Sequence, residues 1–347
     1  MTMKLRLGVL HGGWSSERDV SVSSAQQVMR YIDRSAYDPI AIEIRTDHLW
    51  SVHTDEGVRT TTPSEALAQI DAALLVLHGI GGEDGIVQGL LEAHGVPYTG
   101  PKVDTSAIFM DKVLSKWQFQ IHQIPTPDFV CVNRPRYLDM EDRVIADLIA
   151  RLGTRAVIKP ARHGSSVGVS VTTSRAEIAA GLEMAFALDD RVLVERFVHG
   201  TEVQVGILGH WSDYRVLPTL ELDFRDGQTW FDHETKYGTD RSRIHFHIPA
   251  RVSDQATDRL AALASDLYER YRFTGYGRFD FLVPDDGQPL LLEINTITGM
   301  TPSSTYPLMA QHAGISYPDL LSELVEQAVQ PSITAPRRSL TANAVPS

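Results

Sequence analysis

Two apolar segments near the C-terminus, Gly275-Tyr276-Gly277-Arg278-Phe279-Asp280-Phe281-Leu282-Val283 and Leu290-Leu291-Leu292-Glu293-Ile294-Asn295, flank the turn sequence Pro284-Asp285-Asp286-Gly287. Apolar run, Pro/Gly turn, apolar run is the pattern of a β-hairpin. Side chains two apart on a strand share a face, so Arg278 and Asp280 point together, as do Glu293 and Asn295. If those faces meet, two carboxylates, an amide oxygen and a guanidinium converge on one small volume. Such oxygen ligands suit Mg²⁺ carrying nucleotide phosphates, and the arginine suits a phosphoryl group in transfer. The hairpin predicts a chain that uses ATP.

The rest of the composition narrows the class. With 347 residues there is room for two or three domains and a large core. A net charge of −12 without a basic run argues against nucleic acid as the main partner. The single cysteine, Cys131, excludes an internal disulfide or a cysteine metal cage and fits a reducing, cytoplasmic setting. The apolar start is short and interrupted by Arg6, so neither a signal peptide nor a membrane span is expected, and no later segment reads as a span.

Along the chain, strands are predicted at 5–10, 40–44 and 72–77. The first and third run into glycine turns at His11-Gly12-Gly13 and at His78 to Gly85. A helix follows the first turn from Ser16-Glu17-Arg18-Asp19 to about Arg34, and another passes through Leu90 and Leu91. Strand, glycine turn and helix in alternation predict an α/β domain with a parallel sheet. Further on, a single helix is expected over 106–123 and strands at 129–132, 156–160, 169–171, 192–198, 201–208 and 215–222. A long helix is expected from about Asp254 to Tyr271. The tail 331–347, rich in Ser, Thr, Ala and Pro, reads as disordered.

Several spaced blocks follow one another in order: His11 to Ser21, Leu77-His78-Gly79 through Gly85, Met110-Asp111-Lys112, Lys159-Pro160 through Gly168, Lys236-Tyr237, Gly277-Arg278-Phe279-Asp280 and Glu293-Ile294-Asn295-Thr296. Any one glycine motif would be weak; the ordered set resembles the D-alanine–D-alanine ligases of the ATP-grasp superfamily over roughly residues 4 to 328. The resemblance implies an α/β chain with the ATP-grasp fold. Its N-terminal parallel α/β substrate domain would span 1–103. Two α+β domains enclosing ATP would follow, a central lid at 104–194 and a catalytic domain at 195–330.

A lone Gly-Ser loop is most often a tight hairpin. Placed after Lys159, however, Gly164-Ser165-Ser166-Val167-Gly168 also makes a cover whose amides and hydroxyls cradle phosphates, with Lys112 and Lys159 as point charges. The resemblance assigns both lysines, Ser165 and Ser166 to ATP, and Ser165 also to the substrate side. Glu195, Phe197 and Val198 form the expected nucleotide cradle, Glu195 toward adenine and Glu202 toward the ribose. Read alone, those carboxylates would be solvated strand-end charges. Glu17 is expected on the first amino acid's ammonium and His78 beside its carboxylate, although a lone histidine near a turn is more often structural. Tyr237 matches the residue that bonds Ser165 to close the site, and Lys236 a further phosphate contact. Asp280, Glu293 and Asn295 are the implied ligands of Mg²⁺ or Mn²⁺, two ions in all. Arg278 stabilises transferred charge, and Gly299 and Ser304 receive the second amino acid's carboxylate. A homodimer is implied as well.

Two positions depart from the family pattern. Ile297-Thr298 stands where Ser-Pro or an apolar residue with Pro is usual, and Thr305 stands where a bulky apolar residue is usual. Both flank the second amino acid's pocket, which leaves D-serine open as an acceptor. Tyr237 argues against D-lactate. An inactive nucleotide-binding module would lack a metal ligand or a phosphate lysine, and none is missing. A dehydrogenase reading fails because Gly8-x-x-x-Gly12-Gly13 is not the dinucleotide fingerprint.

Overall fold

The computed structural model describes residues 4–54, 57–224 and 244–330. Lys236, Tyr237 and the tail 331–347 lie outside the described residues.

The first sheet is built on β1 (Leu5–Gly12), whose inner residues are fully buried. β1 lies parallel to β2 (Tyr37–Ile44) on one side and to β5 (Ala72–Leu75) on the other. Helix α1 (Arg18–Tyr31) makes the first crossover. The parallel sheet expected of these three strands is present, and two further strands make it a mixed one. β3 (Trp50–Thr54) and β4 (Gly57–Thr61) extend it antiparallel to the order β4-β3-β2-β1-β5. Parallel pairing needs a crossover of a dozen residues or more; these connections are too short and must turn back. A short helix, α2 (Pro63–Leu67), then precedes β5, and α3 (Ile86–Ala93) follows the second glycine turn.

The single helix predicted over 106–123 is two, α4 (Val103–Met110) and α5 (Lys112–Ile121). Asp111 separates them in an extended conformation. Its Oδ1 accepts the Val113 and Leu114 N–H groups and so caps α5, a role that competes with helix continuation.

A second, antiparallel sheet has the order β6-β9-β7-β8. Its strands are β6 (Phe129–Asn133), β7 (Ala156–Pro160), β8 (Ser170–Thr172) and β9 (Arg191–Arg196). Helices α6 (Arg134–Asp139), α7 (Glu141–Leu152) and α8 (Arg175–Phe186) contribute Tyr137, Leu148 and Leu182 to its core.

The third sheet joins β10 (Thr201–His210), β11 (Asp213–Val216), β12 (Leu220–Phe224), β13 (Ile244–His247), β14 (Tyr276–Val283) and β15 (Leu290–Asn295). Its order is β13-β12-β10-β14-β15, with β11 also on β10. The strand predicted over 215–222 is split around Pro218, which has no N–H for a ladder. Helix α9 (Asp254–Arg270) covers one face together with Phe109 and Phe119 of α4 and α5. On the opposite face, α10 (Thr305–His312) and α11 (Tyr317–Val329) share a core with Leu7, Val9 and Leu74 of the first sheet. The first and third sheets are therefore packed through one continuous apolar core.

Candidate active site

The predicted hairpin is present: β14 pairs antiparallel with β15, Arg278 opposite Asn295 and Asp280 opposite Glu293. Arg278 donates from Nε and Nη2 to the two oxygens of Asp280, both at 2.8 Å, and Asn295 Nδ2 donates to Asp280 Oδ2 at 3.1 Å. Glu293 is met by Lys112 Nζ at 3.3 Å, from the first turn of α5. Two carboxylates are thus held close together by cations that a metal and phosphates could replace. Asp280, Glu293 and the Asn295 amide oxygen are all hard oxygen donors, which fits a divalent cation of the Mg²⁺ class.

The hairpin forms one wall of a cavity of about 550 Å³. Glu17 and His78 reach it from the first sheet. Lys112, Lys159, Ser165, Ser166, Glu195, Phe197 and Val198 come from α5 and the second sheet. Glu202, Arg278, Asp280, Glu293, Asn295, Gly299 and Ser304 come from the third. Every expected site residue that falls within the described residues therefore lines one space. The apolar side chains of Val157, Leu222, Phe246 and Leu292 complete the wall.

Glu17 ends the turn before α1, with its carboxylate wedged between two glycine segments. A Cβ at Gly79 would lie 2.8 Å from Glu17 Oε2, and one at Gly164 would lie 2.4 Å from it. Gly79 also has φ +68, a second reason for glycine. Ser165 donates its hydroxyl to Glu17 Oε1 across 148 residues of sequence. Both Ser165 (φ 52) and Ser166 (φ 58) occupy the left-handed region, where non-glycine residues store strain that tertiary contacts must hold. His78 is buried, and burial lowers its pKa, with Glu17 opposing the shift and Arg278 adding to it; the ring is neutral at pH 7. Among the described residues its Nε2 has no partner.

Glu195, expected toward adenine, lines the cavity and is met by two lysines: Lys116 Nζ lies 2.6 Å from Oε1 and Lys159 Nζ 2.5 Å from Oε2. Burial alone would raise its pKa, but the two ammonium groups outweigh that and hold it at about 2. The strand predicted to run to Val198 ends at Arg196, which leaves Phe197 and Val198 as loop residues on the cavity, Phe197 under the Arg155 guanidinium at 4.1 Å.

Two family models match the chain, "D-ala D-ala ligase N-terminus" over residues 6–101 and "D-ala D-ala ligase C-terminus" over residues 119–326. The D-alanine–D-alanine ligase of Pelotomaculum thermopropionicum is 36% identical over 329 residues, covering 94% of this chain and 98% of that protein. That of Syntrophobacter fumaroxidans is 37% identical over 330 residues, covering 95% and 99%.

The chain belongs to the D-alanine–D-alanine ligase family.

Solved structures agree. The VanG D-Ala:D-Ser ligase from Enterococcus faecalis superposes with a TM-score of 0.81 at 28% identity, covering 94% of this chain and all of that one. The D-alanine–D-alanine ligase from Bacillus anthracis complexed with ATP gives 0.75 at 28% identity, covering 93% and 97%.

Within this ligase fold, two buried groups escaped the sequence reading. Lys116 sits four residues after Lys112 on one helix face, a spacing that could have drawn attention to it. Glu83 lies inside the second glycine turn. It accepts the Gly79 N–H at 2.8 Å and, from the loop after β15, the Ile297 N–H at 3.2 Å. Burial and then the nearby Glu17 raise its pKa from 4.5 to about 8, so it is protonated at neutral pH. A carboxyl raised on folding contributes stability that is complete below its unfolded value and shrinks as pH rises, until it is gone above about 8. Glu83→Gln, which has no proton to lose, is expected to lower Tm at acid pH. It should also flatten the fall in Tm between about pH 5 and 8. A variant whose Tm falls across that window as steeply as the parent's would show that Glu83 does not titrate there.

Proposed function

We propose that the protein joins two D-alanines to D-alanyl-D-alanine at the expense of ATP, through an acyl phosphate, for peptidoglycan precursor synthesis. One observation carries the reading: the acid hairpin, Lys112 of α5, Lys159 of the second sheet and the Glu17–His78 corner face each other across a single cavity. They do so in a chain that matches ligases of that name over nearly its whole length.

In this reading Lys112 and Lys159 hold the phosphates beneath the Gly164–Gly168 loop, joined by Lys236. Val157, Phe197 and Leu292 flank the base, the backbone around Val198 meets its edge, and Glu202 meets the ribose. Asp280, Glu293 and Asn295 would hold two ions of Mg²⁺ or Mn²⁺, whose charge neutralises the phosphates when bound. Glu17 anchors the first D-alanine's ammonium, leaving its carboxylate beside neutral His78 and in line with the γ-phosphate. Attack by that carboxylate expels ADP and gives the acyl phosphate. The amine of the second D-alanine then adds to the carbonyl, and phosphate leaves. Arg278 stabilises charge on the phosphoryl group and on the tetrahedral intermediate. No protein nucleophile is needed, since positioning and charge stabilisation supply the catalysis.

The acyl phosphate must be kept from water. The Ser165–Glu17 bond, which ties the loop to the first sheet, serves that end, and the family resemblance adds Tyr237 as a partner for the same serine. Ser304 and the amides from Gly299 onward take the second substrate's carboxylate at the N-terminus of α10. The division into 1–103, 104–194 and 195–330, the cytoplasmic location and a homodimer belong to the same proposal. Among the described residues no helix is long and apolar enough to cross a membrane.

A second reading keeps the chemistry and changes the acceptor to D-serine. Thr298 and Thr305 both line the cavity, and the buried Thr298 Oγ1 has no partner among the described residues. ADP release with Mg²⁺-ATP, with D-alanine alone and then with D-serine added, decides between them once products are weighed. D-alanyl-D-alanine from D-alanine alone is the expected result. Turnover only with a second acceptor would move the function to a mixed ligase, and no ADP from any amino acid would overturn both.

A further inference from the structure

Lys116 is a charged side chain only 1% exposed, and it does not line the cavity. It donates to Thr126 Oγ1 and to Leu291 O at 3.2 Å, and its ammonium is ion-paired with Glu195, 2.6 Å from Oε1. The other oxygen of Glu195 belongs to Lys159, at 2.5 Å. One carboxylate is therefore divided between a lysine that faces the cavity and a lysine locked behind it.

This division has a consequence for ligand binding. A buried carboxylate stripped of its only cation is costly, because attraction in a dry interior must repay desolvation. If Lys159 were the sole partner of Glu195, transferring its charge to incoming phosphates would strand that carboxylate. With Lys116 fixed on the far oxygen, Glu195 stays neutralised whichever way Lys159 turns.

We infer that Lys116 is a positioning residue for nucleotide binding: a permanent counter-ion for Glu195 that releases Lys159 to the phosphates. The inference rests on the cavity being the ATP site. It gives Glu195 a purpose too, that of parking Lys159 in place while the site is empty.

The test is the ATP Kd, measured without amino acid in Mg²⁺ buffer, for the parent, Lys116→Met, Glu195→Gln and the double variant, with KM for D-alanine alongside. Lys116→Met should weaken ATP by tenfold or more, because Lys159 is then pinned by an otherwise unpaired carboxylate, and should leave KM for D-alanine within about twofold. In the double variant nothing is stranded, so its ATP Kd should return to that of Glu195→Gln alone. A purely structural lysine would instead give losses that add, and would disturb both substrates. Should Lys116→Met fail to fold, Lys116→Gln removes the charge while keeping a donor, and the same ATP-selective loss and the same rescue are expected. An unchanged ATP Kd, or a double variant worse than either single one, overturns the inference and leaves the ligase reading standing. A parent that binds no ATP sinks both.

Discussion

Glu293→Gln is expected to reduce turnover by about a thousandfold or more while the fold stays intact. The substitution keeps the shape and one oxygen but removes a charge from the hairpin where Asp280, Glu293 and Asn295 converge. Losing one anionic ligand of the proposed metal site would cost about 4 kcal/mol of charge stabilisation in the transition state, which is a factor of about 10³. The fold should survive, because Gln keeps the shape of Glu293, whose side chain stands 29% exposed at the cavity; some loss of Tm is expected, since Lys112, only 13% exposed, gives up its partner at 3.3 Å. Steady-state ADP release across a Mg²⁺ and Mn²⁺ titration is the measurement. Activity within tenfold of the parent at ordinary Mg²⁺ would sink the metal assignment, since Lys112 lost its ion pair just the same.

The second large effect comes from a single methyl group. Gly164→Ala places a Cβ 2.4 Å from Glu17 Oε2 and 2.9 Å from Glu17 Cδ. Those atoms cannot share that space, so either the loop lifts or Glu17 leaves the position in which Ser165 holds it. A displacement of about 1 Å at a group that orients a substrate costs about a hundredfold. The loss should fall on kcat/KM for D-alanine and much less on ATP affinity. Tm should be nearly unchanged, for the clash is at the edge of the cavity and not in the core. Normal D-alanine kinetics would mean that the loop stands clear of Glu17 during turnover, and the proposed closure would be wrong.

How much of this was legible beforehand depends on the range of the interaction. The β14–β15 hairpin was readable because strand periodicity puts Arg278 with Asp280 and Glu293 with Asn295 within a few residues of each other, and a local turn brings the pairs together. The motifs around Glu17, His78, Lys159 and Gly164 were readable for the same reason, each being a strand meeting a glycine turn. By contrast, the β3–β4 hairpin and the helices α6, α7 and α8 went unread, and α4–α5 was read as one helix. Their boundaries depend on caps such as Asp111 and on which face found a core.

The chain by itself therefore determined the ligase family and pointed to the described residues that line the cavity, since these are written in short blocks with fixed order. Only the tertiary structure decided how those residues are wired: Glu195 to two lysines, Glu83 to a loop 214 residues away, Ser165 to Glu17. The physical reason is that a charged side chain's partners and protonation follow from desolvation and distance. Both are properties of surfaces packed together from remote parts of the chain, and no local pattern encodes them.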